Sequence, residues 1–355
     1  MDPLMNLQNG GWLPVVFLAL MGVAMLAYVV LDGYDLGVGI LLRRANGADG
    51  TNSANSTNAD IEKDIMISSI GPFWDANETW LVLGVGILLV AFPMAHGVIL
   101  GELYLPVALM LLGLMLRGVA FDFRVKARAA HKHLWNNAFY AGSVLASFSQ
   151  GVMLGLYITG FKNGWAEYGF AIITGLCLCA GYALLGAGWL IMKTEGALQQ
   201  RAVRWALGSL WFTGAGIAAI SIVTPLVSAR IFEKWFALPN LFLLMPVPAA
   251  TAVLFFVIDR ALRRLPKRLS EGNEYGAWVP FACTVGIFIL AFYGLAYSLF
   301  PYLVVDKIDI WQAASAPESL KIILVGAVVV LPAILGYTIY AYRVFWGKAR
   351  ALTYY

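Results

Sequence analysis

Residues 15–42 read VVFLALMGVAMLAYVVLDGYDLGVGILL, a run of 28 residues in which Asp32 and Asp35 are the only charges. A helix needs about 20 mostly apolar residues to cross the hydrocarbon of a bilayer. This run exceeds that and shows no period-2 alternation, so it reads as a membrane-spanning helix and not as a barrel strand. Further runs of the same kind lie near 76–95, 99–118, 138–161, 168–192, 206–228, 238–258, 276–299 and 321–344. The composition agrees: 61% of the 355 residues are apolar and 12% charged, against about a quarter charged in soluble domains. The expected fold is an all-α integral membrane protein, one transmembrane domain over 1–355 with a bundle of about nine helices.

The basic residues orient the bundle. Cytoplasmic loops carry the excess of Lys and Arg. With nine spans and the N-terminus outside, 19 of the 24 basic residues fall on the inner side, in the segments around Arg43, Arg124, Arg201, Arg264 and Lys348. Only Lys162, Arg230, Lys234, Lys307 and Lys321 fall outside. The expectation is therefore an external N-terminus and a cytoplasmic C-terminus. Met1-Asp2-Pro3 lacks a basic leader, so the first run is expected to stay as a span. The net charge of +4 is confined to short loops and gives no reason to expect nucleic acid. Asn46 to Asn58 is low in complexity and reads as a flexible loop. Cys177, Cys179 and Cys283 fall in apolar runs and read as buried, inert thiols.

Charges inside apolar runs are the anomalies. An acid at membrane depth costs at least ~2.5 kcal/mol on insertion scales. Asp35 lies eight residues before Arg43, about 12 Å inside that end of the span. Asp32 is one turn deeper on the same face. A structural role is also open, in which the pair caps or bends a helix broken at Gly33, Gly37 and Gly39. The second anomaly is Gly71-Pro72-Phe73-Trp74-Asp75-Ala76-Asn77-Glu78-Thr79-Trp80. Asp75 and Glu78 fall in the first turns of span two, where the helix dipole favours carboxylates. The dipole accounts for one of them and leaves the surrounding Trp74, Asn77 and Trp80 unexplained. In the expected orientation all four acids lie toward the cytoplasm, as a proton uptake path needs: groups that bind and release protons near neutral pH, which partial burial of a carboxylate favours. A sodium or metal site uses the same oxygens, and spacing does not decide between them. Arg117 and Asp122 flank the inner end of span three and are expected to pair with each other. Glu102 is expected at the outer start of span three.

Cofactor ligands are scarce. Haem in a bundle needs inward-facing His or Met. His131 and His133 sit in a basic loop, and His96, beside Met94, stands alone near the outer end of span two. There is no Cys cluster, P-loop, dinucleotide glycine pattern or HExxH. The chain shows no means of transferring electrons alone, and no metal is expected on it.

Three stretches carry a resemblance. DGYDLGVG at Asp32–Gly39, GPFWDANETWL at Gly71–Leu81 and RGVAFDFR at Arg117–Arg124 resemble motifs of subunit II of cytochrome bd-type quinol oxidases. Phe300-Pro301-Tyr302 and Trp311 extend the likeness weakly. The wording of the second motif is closest to the cyanide-insensitive branch. The resemblance implies a multi-pass protein of the bacterial inner membrane. It implies a haem-bearing subunit I as partner, in a complex that oxidises quinol and reduces dioxygen to water with cytoplasmic protons. Subunit II then binds no essential haem. Asp32, Asp35 and Asp75 match acids of the first two motifs, with Asp75 the foremost proton-path candidate. Glu78 stands where other members can carry an uncharged amide. Trp74, Asn77, Trp80, Arg117 and Asp122 are the supporting motif residues. The resemblance extends to a small single-span accessory subunit and to a quinone or lipid between spans, on which no residue of this sequence bears. Two other classes stay open: a proton- or ion-coupled secondary transporter, suited by midplane acids and broken helices, and a purely structural partner.

Overall fold

The computed structural model describes residues 11–45, 54–128 and 131–350. Among them, nine helices are long and apolar enough to cross a membrane. In chain order the helices are α1 (Trp12–Leu41), α2 (Ala54–Ser68), α3 (Trp74–Ala91), α4 (Pro93–Glu102), α5 (Tyr104–Lys126), α6 (Lys132–Ile158) and α7 (Trp165–Lys193). They continue as α8 (Gly196–Val227), α9 (Ala229–Phe236), α10 (Asn240–Leu244), α11 (Pro246–Ser270) and α12 (Val279–Leu299). A two-stranded antiparallel hairpin, β1 (Tyr302–Val304) and β2 (Ile308–Asp309), leads to α13 (Ile310–Ala313) and the last span, α14 (Pro317–Val344). Asp309 starts α13 with a capping box, accepting from the backbone N–H of Trp311 and Gln312.

α1 is the axis. It packs on α3, α6 and α7, while α5 to α8 pack pairwise in sequence order. The larger core lies at the α1 end that bears Arg43, around Tyr34, Leu36, Val38, Tyr182, Leu185 and Trp189. A second core at the opposite end joins Leu13, Phe17, Phe92, Val304 and Ile310. α14 lies at the edge, with only Leu320 and Ala341 buried.

Several expectations change. α1 is one continuous helix through Gly33, Gly37 and Gly39, so the break that the sequence left open is absent. Those glycines serve packing. A Cβ on Gly37 would overlap the carbonyl oxygen of Tyr182, and one on Gly186 would overlap the Gly37 backbone. α1 and α7 therefore cross backbone to backbone, the close approach that small residues permit between membrane helices. The span expected near 99–118 runs from Tyr104 to Arg124. Phe92 leaves the helical conformation, and Pro93 starts the separate helix α4, for which its missing N–H and fixed φ suit it. Glu102 thus ends α4 and does not open span three. The helix expected near 238–258 reaches Ser270, so Arg260, Arg263, Arg264, Lys267 and Arg268 ride on its last turns and not on a loop. Strong helix formers complementing the C-terminal dipole extend it. Of the expected loop Asn46–Asn58, residues 46–53 lie outside the described residues and Ala54 already begins α2. The three cysteines are free and only partly buried.

Candidate functional site

The acids of α1 meet a cation from α5. Asp32, Asp35 and Arg117 are all 0% exposed. Arg117 Nη1 donates to Asp32 Oδ1 at 2.6 Å and to Glu78 Oε1 at 3.1 Å, and Nη2 stands 4.0 Å from Asp35 Oδ2. Glu78, from the second turn of α3, keeps 26% of its side chain exposed. Three helices thus bring three carboxylates around one guanidinium. The i, i+3 spacing of Asp32 and Asp35 presents both to one side of α1. The Trp74 ring lies 5.8 Å from the Arg117 guanidinium and packs against Phe121, an arrangement that also favours a cation at this point.

A closed hydrogen-bond ring adjoins the acids. Asn77 Nδ2 donates to Asp35 Oδ2 at 2.7 Å and to the Tyr34 hydroxyl at 3.0 Å. Tyr342, from α14, donates to Asn77 Oδ1 at 3.2 Å, which leaves Tyr34 to donate across the 2.6 Å contact between the two hydroxyls. Every donor in the ring has an acceptor, and the ring ties the last span to the first and second. Trp80 is buried against Ala24 and Tyr28.

Four polar atoms of the cluster are buried without a hydrogen-bond partner among the described residues: Asp32 Oδ2, Asp35 Oδ1, Arg117 Nε and Arg117 Nη2. Fully ionised, the group would carry a net charge of −2 in a low-dielectric interior, which costs several kcal/mol per uncompensated ion. The arrangement has the capacity to hold protons.

The structure separates other expected members. Asp75 lies in the first turn of α3 and is exposed, outside the buried cluster. The expected Arg117–Asp122 pair does not form. Five residues apart on one helix, the two point about 140° from each other, so Arg117 faces the bundle while Asp122 is exposed. Arg117 lies within α5. A second charged cluster, centred on the buried Arg124, was not foreseen. Arg124 Nε donates to Asn136 Oδ1 and Nη1 reaches Asp64 Oδ1, each at 2.6 Å, and Lys132 also bonds Asp64. With the Arg201–Glu62 pair, it pins α2 across the end of the bundle. Tyr34, Tyr342 and Gln150 were missed as well. Of these, Gln150 carried a signal, an amide within an apolar helix.

The described histidines do not come together as a haem cage. His131 and His133 are exposed at the start of α6, and His96 is partly buried in the short α4. No group of three or more His, Cys, Asp or Glu side chains suited to a metal ion occurs among the described residues.

Comparison with known proteins supplies the identity. The profile of the family described as cytochrome bd terminal oxidase subunit II matches residues 13–345. The chain is 27% identical to the cytochrome bd ubiquinol oxidase subunit 2 of Bacillus subtilis, over 92% of this chain and 94% of the relative. It is also 27% identical to the cytochrome bd-I ubiquinol oxidase subunit 2 of Escherichia coli K12, over 93% of each chain. A chain of the bd oxidase structure from Geobacillus thermodenitrificans shares the fold, with a TM-score of 0.70 at 17% identity, over 94% of this chain and 98% of that one. Nine apolar helices among the described residues, motif acids gathered at one end of the first two, and a family match spanning nearly the whole chain lead to one conclusion: this protein belongs to the cytochrome bd terminal oxidase subunit II family.

Proposed function

We propose that this chain is the non-haem subunit of a quinol:dioxygen oxidoreductase of the bacterial inner membrane, paired with a haem-bearing subunit I, and that its acids take up protons from the cytoplasm. The family membership carries the first part. The gathering of Asp32, Asp35 and Glu78 around the buried Arg117 carries the second. One guanidinium neutralises one carboxylate, so the site holds protons without holding net charge. Asp75, exposed one turn before Glu78, is the mouth of the path, and Glu78, partly exposed, links it to the buried pair. The division of Lys and Arg supports an external N-terminus, which turns this end of α1 and α3 to the cytoplasm. The haem of the partner supplies the electron chemistry. This chain's residues bind and move protons.

A transporter is disfavoured on two grounds. The family is that of an oxidase subunit, and α1, whose acids suggested a broken helix, is continuous. The test uses the assembled complex. Asp75→Asn and Asp35→Asn are expected to slow quinol-dependent oxygen consumption by at least about tenfold at unchanged haem content, in the range expected for lost proton-transfer groups. Wild-type turnover and proton uptake in both variants would remove the proton-path role.

A further inference from the structure

A second buried polar chain lies beside the acid cluster. Tyr28 on α1, Gln150 on α6 and Tyr182 on α7 are 2%, 8% and 0% exposed. The Tyr182 hydroxyl donates to Gln150 Oε1 at 2.7 Å, and Gln150 Nε2 donates to the Tyr28 hydroxyl oxygen at 2.7 Å. The hydrogen of Tyr182 is thereby used on Gln150, and an amide hydrogen of Gln150 on Tyr28. The hydroxyl hydrogen of Tyr28 is left over, and a buried hydroxyl needs an acceptor for it.

The missing acceptor is on the same helix. Asp32 follows Tyr28 by four residues, hence one turn on and on the same face of α1. The Tyr182 ring lies against Gly33, its Cε1 2.7 Å from where a Cβ would stand. Asp32 Oδ1 is taken by Arg117, while Oδ2 is buried with no partner among the described residues. Tyr28 and Asp32, one helical turn apart on α1, thus carry a donor and an acceptor that no hydrogen bond among the described residues satisfies. One water accepting from Tyr28 and donating to Asp32 satisfies both.

We propose that Gln150 is a positioning residue for Asp32: it turns the Tyr28 hydroxyl toward the open oxygen of Asp32, and a bound water joins the two. This rests on the proton-path reading of Asp32. The titratable and charged groups facing Asp32 are Arg117 of α5, Glu78 of α3, Asp35 and Tyr28 of α1, and Tyr182 of α7.

The experiment measures quinol oxidase turnover against pH in the assembled, haem-loaded complex. Tyr28→Phe and Gln150→Leu are each expected to keep the haem content and to move the pH profile by about one unit, the size that one hydrogen bond to a carboxylate supplies. The double variant is expected to show the same displacement as either single, because both break one chain. Wild-type profiles in both singles, while Asp32→Asn alters turnover, overturn the positioning role and leave the proton path standing. Displacements that add in the double variant also overturn it. An Asp32→Asn complex with wild-type turnover removes the proton path, and this proposal with it. If Gln150→Leu does not assemble, Tyr28→Phe, which loses a single oxygen, decides.

Discussion

Arg117 lies nine residues before the end of α5, within the bundle, and its counter-charges among the described residues are Asp32, Asp35 and Glu78. Removing it would leave buried carboxylates unpaired, which typically costs about 3–5 kcal/mol. Arg117→Leu is therefore expected to lower the melting temperature of the complex sharply or prevent its accumulation. Adding Asp32→Asn should recover part of the loss, and thermal melts of purified complexes read both effects. A melt indistinguishable from wild type would show that the ion pairs do not hold the site together. The acids were legible as charges inside apolar runs, where insertion cost alone flags them. Their partner was not. Arg117 is 85 residues from Asp32 and reads in sequence as one more basic residue at a span end. Asp122 looked like its partner only because it is near in the chain.

At the scale of the element, the contact between α1 and α7 depends on glycine. Gly37→Ala and Gly186→Ala would each place a methyl group into backbone, an overpacking expected to cost about 1–3 kcal/mol or more. Gly97→Ala in α4 meets nothing within 4 Å and is the matched neutral control; parallel thermal melts separate the two kinds of glycine. The end of α14 is held differently. Lys193 Nζ donates to the carbonyls of Phe345, Trp346 and Gly347 at 2.7, 3.0 and 3.1 Å, over the ring of Trp189. It occupies the place of a helix C-cap supplied by another span. Lys193→Met is expected to leave assembly intact and to speed hydrogen exchange and proteolytic cleavage around residues 345–350. An unchanged exchange rate there would count against the clasp. Hydropathy placed the spans because length and apolarity are local properties. Their ends moved where a local signal was overridden, as at Pro93 and along the basic last turns of α11.

At the scale of the whole molecule, α14 and its flanks are tied to the bundle through Tyr342, Leu320, the clasp at one end, and Ser315 bonding Val90 and Ala91 at the other. Its remaining surface is apolar and exposed, with Val325, Val328 and Val329 more than 60% exposed, which suits lipid or a second membrane subunit. Purification through a tag on this chain in mild detergent is expected to bring down a haem-bearing partner with quinol oxidase activity. A monodisperse, colourless single chain without activity would oppose the assembly proposed here. The sequence by itself determined that this is a membrane bundle of nine spans, with intramembrane acids in the first and second and family motifs around them. Those features are written in composition, run length and short motifs, which need no knowledge of distant contacts. Only the tertiary structure decided that the α1 glycines join helices instead of breaking one, that Arg117 serves the acids and Asp122 does not, and that Gln150 links two tyrosines beside Asp32. Each of these depends on which faces of separate helices meet, and in a chain apolar on nearly every face the sequence pattern leaves that choice to packing.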